Sequence, residues 1–571
     1  MTVAEYVARF LVSKGVRHVF GYQGGAILKL LDEIVATREI EYVQNYHEQA
    51  SAFAADSYSR VTGNIGVAIA TSGPGATNLV TGIANSQLDS VPTFFITGQD
   101  YSSNVLANNQ ARQNGFQDLN ISNLVESITK YSVLISDPKK VRYELEKAYW
   151  FAINGRPGAV LVDIPIDIQF AEIDECELVH YPLPEPVVYE IDYESIIELI
   201  KTAQRPVVLI GGGVRASKSE KELRDFIKKT KIPVVSTLNG LDVIEGGYGY
   251  AGLHGNTFSN LAIQNCDLLF AFGVRFGQRQ VGKFPEKYTK AKIIHVDIDD
   301  NELGRIFPDE VAVMSDLLHF LSGINEKINV DDMPDFEYWH EVIREWKRKY
   351  KKCCYLNLDG LDPVKVVEET LKVVGRDSIF TSDVGQNQMW VAQAFEVVEG
   401  QRLLNSCALG AMGYSLPASI GAIKAYPNRR VICFTGDGGL QMNLQELILV
   451  GHKRMPLKCV VFNNNTLGMM REVQARYYDG HYYGSNEEEY KCVDLEALAS
   501  AMGLGYRRVV ELGQIRLLAE EFNDDNPYIF EMCIQYESLL SNRYDEAHIF
   551  ADENISGLDK KDILKSEKLD G

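Results

Sequence analysis

Hydrophobic positions along the chain follow one repeating pattern: a short β-branched run, a glycine-rich turn, and a stretch with apolar residues at helical spacing. Short apolar runs that alternate with amphipathic helices are typical of parallel strands buried between helical layers. The pattern starts again after the proline-rich stretch 181–186, and once more at Asp362-Pro363, a helix cap followed by proline at the first helical position. The sequence therefore predicts an α/β fold with three doubly wound parallel-sheet domains.

Four segments follow from this pattern. We expect an N-terminal domain over residues 1–180, a central domain over 190–330, a C-terminal domain over 355–540 and a tail over 541–571. The polar, charged stretch from about 325 to 352 is interpreted as a linking helix with a solvated face. The predicted strands lie at 16–20, 66–70, 93–97, 159–164, 206–210, 233–236, 268–272, 293–297, 378–381, 431–435, 458–462 and 528–534.

The charge pattern argues against two kinds of partner. Lys and Arg number 57 against 78 Asp and Glu, a formal net charge of −21, whereas nucleic-acid binding needs a basic face. No apolar run approaches the ~20 residues of a membrane span. The amino terminus carries Glu5, Arg9 and Lys14 inside a helical pattern, which does not suit a signal peptide. We therefore expect a cytoplasmic protein that binds neither nucleic acid nor membrane.

The cysteines support the same compartment. Nine are scattered along the chain without a C-x-x-C pair, which suits a reducing environment rather than a disulfide framework. Five lie in apolar stretches and are predicted to be small core residues: Cys266, Cys407, Cys433, Cys459 and Cys533.

The strongest chemical motif is Gly436-Asp437-Gly438-Gly439, which directly follows the predicted strand 431–435 and opens a helix. The next predicted strand, 458–462, ends in Asn463-Asn464-Asn465. Strand ends and helix N-termini of a parallel sheet collect anions, and carboxylate and amide oxygens suit Mg²⁺ bound to phosphates. Two ordinary turns are the alternative for either string alone. Together, the strings and their spacing predict a magnesium–diphosphate site.

The segment from Gly436 to Asn464 resembles the thiamine-diphosphate (ThDP) motif, and from about residue 3 to about 535 the chain resembles the acetolactate synthase large-subunit family. The resemblance implies Asp437, Asn464 and the carbonyl of Thr466 as magnesium ligands. It also implies that Met412 supports the bent form of ThDP, although a methionine between glycines can simply fill a gap. Asn387 stands where the family usually has histidine. The ThDP contacts that the resemblance implies are Gly73, Pro74, Asn78, Gln386, Asn387, Gly410, Met412, Gly438, Gly439 and Met469.

A glutamate in the first domain is the predicted catalytic acid/base. Glu48, in the string Tyr46-His47-Glu48-Gln49-Ala50, precedes a helix of small residues, where a lone glutamate is usually a partner of the helix dipole. In the family the corresponding glutamate contacts the pyrimidine N1′ of ThDP and promotes removal of the thiazolium C2 proton. A buried carboxyl with a raised pKa suits that exchange. The resemblance adds Phe116 and Gln117 to the catalytic residues, whereas His47 is interpreted as structural.

The middle third carries a weaker motif. Gly211-Gly212-Gly213 follows the predicted strand 206–210 and presents backbone amides where a dinucleotide phosphate can bind, although a flexible turn explains the string equally well. The family pattern R-F-D-D-R stands here as Arg275-Phe276-Gly277-Gln278-Arg279, without either acid. The resemblance implies FAD in a structural or vestigial role. Its implied contacts are Arg156, Gly211, Gly212, Gly213, Leu253, His254, Gly273, Arg275, Arg279, Asp297 and Asp316.

The resemblance implies a carboligase that decarboxylates pyruvate and transfers the two-carbon unit to an acceptor carbonyl. It further implies a homo-oligomer, at least a dimer, in which Glu48 and Asp437 of one active site come from different chains. One alternative is an oxidoreductase of the pyruvate oxidase type that uses flavin as electron acceptor. A second is a catalytically dead cofactor-binding scaffold, which the joint presence of Glu48, Asp437 and Asn464 disfavours.

The acceptor stays open. Three positions differ from the residues that the family carries there. Val473 replaces a tryptophan that favours 2-ketobutyrate, Ile166 replaces the lysine of the family's D-I-P-K-D pattern, and Gln23 replaces a proline in the first glycine turn. The loop between Gln99 and Phe116 is longer than in the family and carries Arg112 and Gln113. A smaller side chain opens volume, and an added arginine can meet an anionic group. Both a second pyruvate and a nucleotide-linked keto sugar are compatible with these changes.

Overall fold

Three parallel sheets, each flanked by helices, make up the chain, which confirms the predicted α/β class. The computed structural model describes residues 1–107, 111–185, 187–350 and 360–535, so the predicted tail at 541–571 lies outside the described residues. These residues form two compact units. The first holds residues 1–107, 111–185, 187, 360–391 and 398–535, and the second holds 188–350 and 392–397.

The N-terminal sheet of the first unit has six strands in the order β2-β1-β3-β4-β6-β5. Three of its interior strands (Gly66–Ala70, Thr93–Gln99 and Ala159–Pro165) are buried along their whole length and mostly apolar, as expected for strands covered on both faces. The strands are β1 (His18–Tyr22), β2 (Glu41–Gln44), β3 (Gly66–Ala70), β4 (Thr93–Gln99), β5 (Tyr131–Leu134) and β6 (Ala159–Pro165). The helices are α1 (Val3–Ser13), α2 (Leu28–Ala36), α3 (Glu48–Thr62), α4 (Pro74–Asn78), α5 (Val80–Leu88), α6 (Ser102–Val105), α7 (Ile121–Leu124), α8 (Val141–Ile153) and α9 (Ile166–Phe170).

The second unit contains a five-stranded sheet in the order β11-β10-β9-β7-β8. Its strands are β7 (Pro206–Ile210), β8 (Val234–Ser236), β9 (Leu268–Phe272), β10 (Lys292–Asp297) and β11 (Val311–Met314). Its helices are α10 (Tyr193–Thr202), α11 (Gly213–Ala216), α12 (Glu220–Thr230), α13 (Thr257–Asn265), α14 (Gln278–Val281), α15 (Leu317–Lys327) and α16 (Glu337–Tyr350).

The helix α16 corrects the expectation of a mainly solvated linking segment. One face is indeed charged, but Trp339 and Trp346 are buried on the other, and the Trp339 indole donates to the carbonyl of Pro206 at 3.1 Å. The apolar positions of this stretch follow helical spacing, which its high charge hides. The segment therefore belongs to the core of the second unit.

The C-terminal sheet of the first unit has six strands in the order β13-β12-β14-β15-β17-β16. They are β12 (Ile379–Ser382), β13 (Arg402–Asn405), β14 (Val431–Gly436), β15 (Leu457–Asn463), β16 (Gly505–Val509) and β17 (Tyr528–Cys533). Its helices are α17 (Pro363–Val373), α18 (Gln386–Ala394), α19 (Ser415–Ala425), α20 (Asp437–Met442), α21 (Glu446–His452), α22 (Gly468–Tyr477), α23 (Leu495–Met502), α24 (Leu512–Leu517) and α25 (Ala519–Asn523).

Within the first unit, the N-terminal and C-terminal sheets share a core through α3 and α19. The Phe53 and Tyr414 rings meet edge to face with centroids 5.4 Å apart. The Ser57 hydroxyl donates to the Ala418 carbonyl at 2.6 Å, so the small residues of both helices bring the two backbones close. This packing joins the N-terminal and C-terminal sheets in one compact body.

Each strand order reverses beside the first strand of its sheet, and the predicted site motifs lie at that point. The reversals fall between β1 and β3, between β7 and β9, and between β12 and β14. At such a point the two adjoining loops leave in opposite directions and open a crevice at the carboxyl ends of the strands, where ligands of open α/β sheets bind. The glycine turns at 71–75, 211–213 and 436–439 follow β3, β7 and β14.

The cysteine predictions are confirmed in part. Cys266, Cys433 and Cys459 are buried, whereas Cys407, which follows β13, and Cys533, the last residue of β17, are only partly buried. Cys492, which the pattern does not single out, is buried as well. The seven cysteines in the described part of the chain are free thiols. In the same described part, no helix is long and apolar enough to cross a membrane.

Candidate active site

Asp437 lies where β14 ends and α20 begins, at a strand end and a helix N-terminus. The side chain is 2% exposed, and its Oδ1 accepts a hydrogen bond from the Gly438 backbone N–H at 2.9 Å. Its buried Oδ2 has no hydrogen-bond partner among the described residues. Burial raises the pKa of Asp437 to about 7. A buried carboxylate oxygen without a donor fits a metal ligand.

The loop after β15 brings amide and carbonyl oxygens to the same sheet edge. Strands β14 and β15 are paired through Gly436 and Phe462, so the residues that follow each strand are neighbours. Asn464 and Thr466 are both buried, and the Thr466 hydroxyl donates to the Ser485 carbonyl at 2.7 Å. The described residues contain no group of three His, Cys, Asp or Glu side chains able to hold a metal. A metal here would therefore depend on Asp437 together with amide and carbonyl oxygens.

The turn after β12 contributes two further predicted contacts. Gln386 is buried, its Nε2 donates to Glu472 at 3.2 Å, and its Oε1 has no partner among the described residues. The Asn387 side chain, at the family's histidine position, donates to the Asp383 carbonyl at 2.8 Å. Met469 lies near the N-terminus of α22 and is partly exposed. Gln386 and Asn387 thus open α18 directly after β12, at the reversal point between β12 and β14.

Asp383 connects the predicted elements of this half, although the sequence analysis did not single it out. Its fully buried carboxylate accepts hydrogen bonds from the backbone N–H groups of Val384, Gly413 and Ser415, each at 2.9 Å. A β-carbon at Gly439 would lie 2.7 Å from Asp383 Oδ1, so only glycine fits there. Asp383 therefore fixes the turn before α19 against the start of α20. The available signal was its place directly after β12 at the sheet's reversal point.

Met412 lies in that turn, between Gly410 and Gly413, both of which have left-handed backbone angles. Its terminal methyl lies 3.5 Å from the position that a β-carbon on Gly438 would take. A tyrosine that the sequence analysis missed, Tyr490, lies beside the same glycine, and the Gln441 amide donates to its hydroxyl at 3.2 Å. The structure thus brings Met412 to the helix that carries Asp437.

Glu48 is the first residue of α3 and is 7% exposed. His47 caps the helix, with its Nδ1 accepting from the Gln49 backbone N–H at 3.1 Å, which agrees with a structural role. The Asn78 amide donates to Glu48 Oε2 at 2.9 Å, so a predicted ThDP contact holds the predicted acid/base. A carboxyl at a helix N-terminus, mostly shielded from water, can exchange a proton with a bound nitrogen base.

The glycine turn after β3 meets the Phe116-Gln117 pair. Gly73 has φ +57°, and a β-carbon there would lie 2.9 Å from the Gln117 β-carbon, so the turn needs glycine. Gln117 has φ +61° and Phe116 is 85% exposed. Pro74 opens α4 at its first position. The structure therefore groups Gly73, Gln117, Asn78 and Glu48 at one end of the N-terminal sheet.

Two predicted flavin-binding turns of the second unit meet at the reversal point between β7 and β9. A β-carbon at Gly213 would lie 2.5 Å from the Gly273 Cα, so the turns that hold Gly211–Gly213 and Gly273 are in backbone contact. The Arg275 guanidinium makes no ion pair or side-chain hydrogen bond among the described residues. The Leu253 N–H donates to the Arg279 carbonyl at 2.8 Å, and the His254 carbonyl accepts from Gln393.

The two acids of this group have local roles. Asp316 caps α15 by accepting from the Leu318 and His319 backbone N–H groups, and Asp297 accepts from the Asp299 N–H. Arg156, the remaining predicted flavin contact, belongs to the first unit and donates to the Ser90 hydroxyl at 2.8 Å. These contacts explain both acids without a ligand, whereas Arg275 stays available for an anion.

Family models match part of the N-terminal and C-terminal sheets and the whole sheet of the second unit. Residues 1–124 match the family described as "Thiamine pyrophosphate enzyme, N-terminal TPP binding domain". Residues 193–324 match its central domain, and residues 383–532 match its C-terminal TPP binding domain. The matched regions contain the Glu48, Gly211–Gly213 and Asp437 sites respectively.

Curated relatives are similar over most of the chain. The acetolactate synthase large subunit of Cyanidium caldarium is 37% identical over 524 residues, covering 87% of each chain. That of Corynebacterium glutamicum is 37% identical over 554 residues, which cover 94% of this chain and 87% of the relative. The isozyme 2 large subunit of Escherichia coli (strain K12) is 35% identical over 539 residues, covering 94% and 96%.

Proposed function

The chain belongs to the acetolactate synthase large-subunit family of ThDP enzymes, and from that premise we propose how its residues divide the work of a carboligase. It is a ThDP-dependent, acetolactate synthase-like transferase that acts on pyruvate. Bound ThDP supplies a nucleophilic carbon and an electron sink for decarboxylation and carbon–carbon bond formation. The observation that carries the assignment of roles is the pair of structured groups, around Asp437 and around Glu48, at the reversal points of two sheets.

Asp437, Asn464 and the Thr466 carbonyl would hold Mg²⁺ on the diphosphate. Support comes from the buried Asp437 Oδ2 and Gln386 Oε1, which have no partner among the described residues. The start of α20 offers its backbone N–H groups to phosphate oxygens. Asp383 holds the turn of Met412 through the Gly413 N–H, and Met412 would support the bent form of the cofactor.

Glu48 would hold and exchange a proton at the pyrimidine N1′. Its burial at a helix N-terminus and its hydrogen bond from Asn78 keep the carboxyl in one orientation. Gln117 and Phe116, beside the Gly73 turn, would contact the substrate end. In this proposal the chain acts as at least a dimer, in which Glu48 and Asp437 of one active site come from different chains.

The assignment is tested by carbon dioxide release from pyruvate with purified protein. Release should require both ThDP and Mg²⁺, and removal of either by dialysis against a chelator should abolish it reversibly. Release that continues without ThDP, or that fails with both present, would contradict the assignment.

We also propose that the second unit binds FAD. The reversal point at β7 and β9, the left-handed Gly273 and the Arg275 guanidinium support a dinucleotide site. Purified protein should release FAD on denaturation, and Arg275→Ala should retain less than the wild type. Colourless protein whose melting temperature does not rise with added FAD would contradict this part and remove the oxidase alternative.

The last part of the proposal concerns the identity of the acceptor. Val473 lies on α22 and is only partly exposed, and Arg112 is exposed and has no ion pair among the described residues. We propose that 2-ketobutyrate is not preferred over pyruvate and that a nucleotide-linked keto sugar competes with both. In a competition assay Val473→Trp should raise the share of the 2-ketobutyrate product. A strong 2-ketobutyrate preference in the wild type would contradict the first part, and failure of every keto-sugar nucleotide to divert product would contradict the second.

A further inference from the structure

A glutamate of the C-terminal sheet holds the segment that leads into Glu48. Glu446, in α21, is fully buried, and its Oε2 accepts from the Asn45 side-chain amide at 2.9 Å. Its Oε1 accepts from the Tyr46 backbone N–H, also at 2.9 Å. Both carboxylate oxygens therefore accept hydrogen bonds from residues 45 and 46, which lie about 400 positions earlier in the chain.

The contact is specific because Glu446 is buried and makes no ion pair with any described residue. Desolvation raises the pKa of Glu446 to about 7, and the hydrogen bonds from Asn45, Tyr46 and His47 oppose that rise. A carboxyl this deep is tolerated only where donors meet it. The donors here are the three residues that immediately precede Glu48, so a fixed orientation of that segment satisfies the buried group.

Asn443 holds the other side of Glu48. Its side-chain amide donates to the Gln49 Oε1 at 3.3 Å and to the Gly413 carbonyl at 2.8 Å. Asn443 directly follows α20, the helix that begins at Asp437, and Gly413 directly follows Met412. One amide therefore contacts the flank of Glu48, the Met412 turn and the end of the diphosphate helix.

We propose that Glu446 and Asn443 are positioning residues that form a bridge within the chain, anchor residues 45–49 and so hold Glu48 in the orientation that proton exchange needs. The inference rests on the proposed proton-exchange role of Glu48. Without the bridge, α3 still packs on α19 and Asn78 still meets Glu48, but residues 45–49 lose their anchors. The effect should therefore appear in proton exchange by Glu48 and not in cofactor affinity.

A reciprocal pair of variants tests the bridge. Asn45→Asp places a second carboxyl against Glu446 and should disrupt the bridge. Glu446→Gln alone should have a milder effect, because the Asn45 side-chain amide can rotate so that its oxygen accepts a hydrogen bond from the new glutamine amide. In the double variant Asn45→Asp/Glu446→Gln the roles are exchanged, since the new amide at position 446 can donate to the new carboxylate at position 45 and still accept from Tyr46. The double variant should therefore recover what Asn45→Asp loses.

The first readout needs no cofactor. Backbone amide exchange of the ThDP-free protein should increase at least about tenfold for the peptide spanning 44–50 in Asn45→Asp and return towards wild type in the double variant. Glu369→Gln is the matched control, because its carboxylate is also mostly buried and joins two elements through Lys372 and Arg516. That control should leave exchange at 44–50 unchanged.

The second readout follows the cofactor proton. At saturating ThDP and Mg²⁺, exchange of the thiazolium C2 proton, measured by quenched-flow NMR, should slow about tenfold or more in Asn45→Asp and recover in the double variant. The dissociation constant for ThDP should stay within about threefold of wild type. Asn443→Ala, which buries no new charge, should slow C2 exchange in the same way and decides the question if Asn45→Asp does not fold.

The C2 exchange rates of these variants distinguish a failure of the bridge from a failure of the proposed role of Glu48. Normal C2 exchange in both Asn45→Asp and Asn443→Ala, with Glu48→Gln strongly slowed, would overturn the bridge and leave the role of Glu48 intact. Normal exchange in Glu48→Gln would overturn the proposed function itself. Slow exchange in Asn45→Asp without recovery in the double variant would also overturn the bridge.

Discussion

The Asp89 carboxylate accepts the backbone N–H of Cys407 at 2.9 Å, which ties the end of α5 to the segment that leads into the Met412 turn. The adjacent N–H of Ala408 meets the same carboxylate at 2.9 Å. Arg60 completes the group by donating to Asp89 at 2.9 Å and to Asp56 at 2.7 Å, with all three side chains mostly buried. The N-terminal and C-terminal sheets are thus joined by a satisfied charge network and not by apolar packing alone.

Asp89→Ala should destabilise the protein by about 3 kcal/mol, because it leaves a buried guanidinium with one partner and two backbone N–H groups with none. Urea unfolding followed by fluorescence measures the change. Glu39→Gln, which breaks the exposed Arg17–Glu39 pair, is the control and should cost less than about 1 kcal/mol. Equal losses in the two variants would refute the importance of the network.

Glu48→Gln should keep the fold and the ThDP affinity but lower turnover by about 10²–10⁴-fold, because the amide cannot exchange a proton at N1′. Steady-state turnover and ThDP titration measure the two quantities. Glu33→Gln, on the surface of α2 and paired with Lys29, is the matched control and should behave as wild type. Near-normal turnover of Glu48→Gln would remove this residue from the mechanism.

Asp437→Ala should weaken ThDP binding at limiting Mg²⁺, because the site loses its one carboxylate ligand and the associated charge. Calorimetric titration with ThDP at several magnesium concentrations measures this loss. The control is Asp494→Ala, which removes the cap of α23 and should cost stability without changing ThDP affinity. An affinity of Asp437→Ala equal to that of wild type would contradict the metal assignment.

Asp163, fully buried at the end of β6, should give a pH-dependent stability. Burial raises its pKa from 3.8 to about 7, opposed by hydrogen bonds from Thr97 and Gln99. The folded protein therefore keeps this proton up to about pH 7 while the unfolded chain loses it near its ordinary value, so its stabilising contribution falls across that interval.

Asp163→Asn removes this titration. The unfolding free energy of wild type relative to the variant should decrease by about 1.4 kcal/mol per pH unit as the pH rises from about 5 to 7. Urea unfolding of both proteins at matched pH values gives the difference. A difference that stays constant, or that grows with pH, would show that the carboxyl does not titrate in this interval.

The interior strands were predictable, whereas most edge strands were not. Runs such as Val431–Phe434 and Leu268–Phe272 are apolar throughout because both faces of the strands are covered. The sequence analysis did not predict β2, β5, β11, β13 and β16, each of which lies at a sheet edge. Gly505–Val509 illustrates the reason, since its two central arginines are exposed and mask the strand pattern.

The candidate site was predictable where its chemistry is local. Asp437 and Asn464 follow strands in recognisable strings, and the structure places them at one sheet edge, although their roles stay predictions. Glu446 and Asn443 were not predicted, because they meet residues 45, 46 and 49, which lie about 400 positions earlier, and only the packing of the N-terminal sheet against the C-terminal sheet brings them together. A sequence pattern contains no information about such distant pairs without the fold.

The central claim concerns the fate of the two-carbon unit derived from pyruvate. ¹³C NMR of the products from [2-¹³C]pyruvate, with ThDP, Mg²⁺ and FAD present, tests it most directly. The account predicts a product in which the labelled carbon is bonded to a second keto-derived carbon, formed with release of carbon dioxide and without peroxide. Labelled acetate or acetyl phosphate with stoichiometric hydrogen peroxide, or unchanged pyruvate, would contradict it.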